Sequence, residues 1–158
     1  MIRNERQYII TKAQIKKFKK ALDDFDKQKS SSHPVLVKAQ KDAMKSQLAE
    51  LEGQAKEYEK LRAGKYKVLK VSSITELPVG LIRARIALGL TQKQLAERIG
   101  LKEQQIQRYE ETDYYSASFS RLQEVVKALG VDVEEKIFLP NDNQVRESAT
   151  PKHGPIKA

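Results

Sequence analysis

The stretch LTQKQLAERIGLKEQQIQRYE, Leu90 to Glu110, decides the reading of this chain. Its apolar or small residues fall at Leu95, Ala96, Ile99, Gly100, Leu101, Ile106 and Tyr109. That spacing predicts two short helices crossing at a tight turn, with small Ala96 and Gly100 at the close approach. Thr91 and Gln94 form the T-x-x-Q pattern of a capping box for the first helix. Gly100 makes the turn, and Lys102 to Glu110 is the second helix. Ile106 and Tyr109 point inward. At about 100° per residue, Gln104 and Arg108 share the outward face, flanked by Gln105 and Gln107. A glutamine can pair bidentately with adenine and an arginine with guanine in the major groove of duplex DNA. Lys102 and Gln92 lie at helix N-termini, where phosphate contacts are favoured.

The surrounding residues fit a compact helical unit over 73–139. Pro78 suits a first helical turn. The helix LIRARIAL runs from Leu81 towards Gly89, a suitable C-terminal cap. Glu111 to Ala117 reads as a loop. The last helix begins at Ser118 or Phe119, turns Leu122, Val125, Val126 and Leu129 inward and ends at Gly130.

Ile82 to Val133 resembles the Xre or phage Cro/cI repressor helix-turn-helix family. The matching residues are R-x-x-x-G-L-T-Q-x-x-L-A from Arg85 to Ala96, I-G-L from Ile99, I-Q-R-Y-E from Ile106 and A-L-G-V from Ala128. The resemblance implies a five-helix, lambda-repressor-like domain that often binds operator DNA as a dimer. It implies a buried ion pair between Arg85 and Glu110. It places base contacts at Glu103, Gln104 and Arg108, and phosphate and glutamine contacts at Gln92. Two residues depart from the family pattern. Lys102 replaces the usual Ser or Thr N-cap, and Glu111-Thr112 replaces a common Asn-Gly, which gives the following loop its own shape.

Upstream, Arg3 to Phe25 reads as an amphipathic helix with Tyr8, Ile15, Phe18, Leu22 and Phe25 on one face. Residues 27–34 (KQKSSSHP) form a polar break. A longer helix over 35–62 carries a seam of Val37, Met44, Leu48, Leu51, Ala55 and Tyr58, weakened by Lys41 and Arg62. Gly53 inside it costs about 1 kcal/mol relative to Ala. Residues 1–63 are therefore read as a basic helical hairpin or coiled coil. The two seams pack either on each other or against a second chain. Residues 64–72 are read as a linker, whose YKVLKV is either a strand or extended. The polar residues 140–158 are read as a disordered tail. The fold class is all-α.

Charge sharpens the functional reading. The 158-residue chain has a net charge of +9. Residues 1–66 hold 16 Lys+Arg against 9 Asp+Glu, whereas residues 67–139 hold 11 against 10. A basic chain favours a polyanionic partner, nucleic acid first. Lys16, Lys17, Lys19 and Lys20 read either as a phosphate-binding or acidic-partner surface or as a solvated face. The absence of Cys excludes disulfides and thiolate sites. His33 and His153 have no neighbours at ligand spacing, and no nucleophile elbow or Gly-rich phosphate loop is visible. No enzyme activity, cofactor or metal is expected. The N-terminus lacks a long apolar run, so a cytoplasmic protein without a membrane span is expected. The expected function is a sequence-specific transcriptional regulator, a repressor acting as a homodimer on double-stranded DNA. The alternative is an antitoxin that binds a toxin through its N-terminal helices and represses its own operon.

Overall fold

The computed structural model describes residues 1–27, 33–137 and 139. The central part of the expected polar break and the expected tail lie outside them. Six α-helices and no strand are present among the described residues. They are α1 (Glu5–Lys27), α2 (Pro34–Arg62), α3 (Leu77–Ala87), α4 (Gln92–Arg98), α5 (Glu103–Glu111) and α6 (Phe119–Leu129), with a short 3-10 turn at Ile74–Glu76. No helix of the described residues is long and apolar enough to cross a membrane.

The first two helices form an antiparallel hairpin within one chain. Glu5 of α1 pairs with Arg62 at the end of α2, Lys12 with Glu59, and Lys19 with Glu52, so the two helices run in opposite directions along one seam. Tyr8 stacks on Tyr58 with ring centroids 5.2 Å apart. The periodic apolar positions require one face of each helix to leave water, and here each helix supplies the other's cover. The cover is uneven. Ala55, Tyr58 and Leu61 are buried, Leu48 and Leu51 partly so, and Val35 and Leu36 near the far end are exposed. Two helices alone bury only a narrow seam. At the base α3 adds a third wall, and burial becomes complete there.

α3 to α6 enclose the rest of the core. Leu77, Leu81, Ile82 and Ile86 of α3, Leu95 and Ala96 of α4, Ile106 of α5, and Val125 and Leu129 of α6 are buried in one cluster with Ala55, Tyr58 and Leu61 of α2. The hairpin and the C-terminal helices thus share a single core. The resemblance implied five helices in the C-terminal unit. The structure has four α-helices and the 3-10 turn, and the chain from Val131 to Ile137 forms no further helix.

Residues 65–71 form no strand, for no neighbouring strand offers them a ladder. The segment instead leans on α3, where Val71 lies against Gly80. A Cβ built on Gly80 would come within 2.7 Å of the Val71 Cγ1.

Candidate nucleic-acid interface

α4 begins at a complete capping box. The Thr91 hydroxyl accepts from the Gln94 N–H at 3.1 Å, and the Gln94 side chain accepts from the Thr91 N–H at 2.8 Å. Gly100 then takes φ +68°, a conformation that an L side chain rarely adopts, and this turns the chain into α5. At the start of α5 the Lys102 ammonium has no lone pair to offer the helix. Half of the box remains: the Gln105 Oε1 accepts from the Lys102 N–H at 3.1 Å.

α5 divides cleanly into an inner and an outer face. Ile106 and Glu110 are wholly buried, Tyr109 and Gln107 are partly buried, and Lys102, Glu103, Gln104, Gln105 and Arg108 are exposed. The two faces follow from the sequence spacing, since residues four apart on a helix share a side. Gln107 Nε2 donates to Glu103 Oε1 at 3.1 Å, which ties two of the outer groups together.

Below this face lies a buried polar node. Arg85 Nε donates to Glu110 Oε1 at 2.6 Å and its Nη2 to Oε2 at 2.7 Å. The remaining guanidinium donors reach the Leu90 carbonyl and the Arg3 carbonyl, each at 2.7 Å. The fork geometry satisfies both carboxylate oxygens at once, which is what makes a fully buried pair tolerable. The Glu110 charge and burial together push the nearby Tyr114 hydroxyl well above the ordinary tyrosine range, burial being the larger cause.

Gln92 sits at the start of α4, but not as an exposed phosphate donor. Its side chain is buried, its Nε2 donates to Glu110 Oε2 at 2.8 Å, and its Oε1 accepts from Asn4 Nδ2 at 3.1 Å. The sequence reading missed this engagement because Asn4 lies 88 residues away along the chain. It missed the N-terminal residues altogether as part of the site. Ile2 is buried, and Arg3 pairs with Asp113 at 2.8 Å just after α5. The one available signal was an isolated Ile ahead of a helix, which is too weak to place.

The loop after α5 has its own shape. Asp113 and Tyr114 take φ +48° and +58°. Tyr114 tolerates this conformation because it is buried and stacks on Tyr109 at 5.8 Å, while Asp113 is held by Arg3. Tyr115 next to it is 96% exposed.

His33 Nδ1 accepts from the Val35 N–H at the start of α2, and among the described residues no group of His, Asp and Glu could hold a metal.

Residues 81–136 match the family model described as helix-turn-helix, the type found in Cro/cI-like proteins of the Xre family. Comparisons with curated proteins and with solved structures gave no match.

Proposed function

We propose a sequence-specific transcriptional repressor that reads operator DNA with α5, a reading supported by the helix-turn-helix match at residues 81–136. The carrying observation is the division of α5. Its inner face is clamped by the buried Arg85–Glu110 pair, and its outer face leaves Gln104 and Arg108 exposed. Such a helix enters the major groove with its side chains at base edges. Arg108 suits guanine and Gln104 adenine, and Glu103 can accept from cytosine. Lys102 and Gln105, at the start of the helix, lie where phosphates approach. Gln107 is tied to Glu103 and orients it. Gln92, being buried, acts by holding Glu110 and Asn4 rather than by meeting phosphate.

One reading helix per chain covers one half-site, so two chains bind a two-fold operator with half-sites about one helical turn, roughly 34 Å, apart. The test is selection of bound sequences from a random duplex pool, followed by binding assays on the selected site. Arg108→Ala is expected to weaken the selected site by roughly 1–3 kcal/mol and to relax preference at one base pair. Recovery of no preferred sequence by the wild type would sink the reading.

A further inference from the structure

The basic face of α1 differs from α2, where Asp42, Glu50, Glu52, Glu57 and Glu59 are interspersed among the lysines. From Arg6 to Leu22 the helix carries Arg6, Lys12, Lys16, Lys17, Lys19 and Lys20 and no acidic residue. Lys12 and Lys19 are paired with Glu59 and Glu52 of α2. Arg6, Lys17 and Lys20 are exposed and have no carboxylate partner among the described residues. At about 100° per residue these three fall within about 60° of one another, on the side turned away from α2. Ile10 and Ala13 lie between them, so no acidic group interrupts the stripe.

This stripe begins beside the reading helix. The start of α1 is anchored to the clamp by the Arg3 carbonyl, by Asn4 on Gln92 and by the buried Ile2. Arg6 and Ile10 then line a cavity of about 300 Å³ together with Gln107 and Glu111 of α5. The exposed face of α1 is therefore continuous with the flank of α5. The C-terminal unit is nearly neutral, yet duplex DNA is bound chiefly through its phosphates. Outside that unit, α1 carries a run of positive charge without an acidic residue.

We propose that α1 is a second DNA-contacting element, in which Arg6, Lys17 and Lys20 hold the phosphate backbone next to the base pairs that α5 reads. The inference rests on the assignment of α5 as the reading helix. Arg6 to Lys20 spans about 21 Å at 1.5 Å per residue, a length of duplex axis over which each strand carries about six phosphates. Contacts of this kind carry no sequence information and instead set the register of the reader.

The test uses the full chain, a fluorescent duplex of mixed sequence and anisotropy titrations over a range of salt. The variant is R6Q/K17Q/K20Q. The control is K38Q/K45Q/K56Q, which removes the same charge from one line of α2 on the flank roughly opposite Tyr58 and Leu61. All six side chains are exposed, and thermal melts check that both variants fold. The α1 variant is expected to lower the slope of log affinity against log salt by roughly 0.9 per lost contact, close to three in all, and to weaken binding at least tenfold near 100 mM salt. The control is expected to keep the wild-type slope. A wild-type slope in the α1 variant overturns the proposal. Equal losses in both variants assign the effect to net charge and overturn it too. If the wild type itself fails to bind any duplex, the assignment of α5 fails first, and the two failures are thereby distinguished.

Discussion

Arg85 and Glu110 carry more of the fold than any other charged pair among the described residues. Their side chains are 3% and 0% exposed, and the pair organises α3, α4, α5 and the N-terminal segment around one carboxylate. Removing one partner strands a buried charge, so Arg85→Ala is expected to cost about 3–5 kcal/mol in urea unfolding. Arg83→Ala, two residues before Arg85, breaks the partly exposed pair with Glu57 and is expected to cost under about 1 kcal/mol. Equal costs would show that burial of the clamp does not set its importance. Single residues were legible where their neighbours are local. The spacing of Ile106, Gln104 and Arg108 tells the inside of α5 from its outside. Gln92 was misplaced because its fate depends on Asn4 and Glu110, which approach only in three dimensions.

The helices themselves follow from local rules, and two glycines show how far those rules reach. Gly53 lies within α2 with nothing within 4 Å of a built Cβ, whereas Gly80 lies within α3 directly under Val71. Gly53→Ala is expected to stabilise the protein by about 1 kcal/mol through helix propensity alone. Gly80→Ala meets the same propensity gain but also overpacking of about 1–3 kcal/mol, so a net loss is expected. Adding Val71→Ala removes the obstruction and should turn that loss towards a gain. Denaturant midpoints for the three variants check this, and a loss at Gly80 that Val71→Ala leaves unchanged would refute the packing account. Propensity treats the two glycines alike. The difference comes from a segment whose sequence left strand and extended chain equally open, and which lies on α3 for want of a partner strand.

At the scale of the whole molecule, the hairpin and the C-terminal helices stand or fall together. Leu61 and Tyr58 are buried in the same cluster as Ile82 and Ile106, and Ile2 closes the cluster from the N-terminal side. Ile2→Ala is expected to lower stability by about 2–4 kcal/mol. Far-ultraviolet dichroism and the near-ultraviolet tyrosine signal should shift together, as in one cooperative transition. A change confined to one of the two signals would show instead that the two parts unfold separately. The sequence alone determined the all-helical class, the capped α4, the turn at Gly100 and the two faces of α5, because each depends on residues within a few turns of one another. It also showed that α1 and α2 each have an apolar face, but not what covers that face. Periodicity states that a surface must leave water and says nothing of its partner. Only the tertiary structure decided that the two seams close on each other within one chain, through charges paired from Glu5–Arg62 to Lys19–Glu52. Only the tertiary structure brought the start of α1 to the clamp beneath α5, for that meeting joins residues more than eighty positions apart.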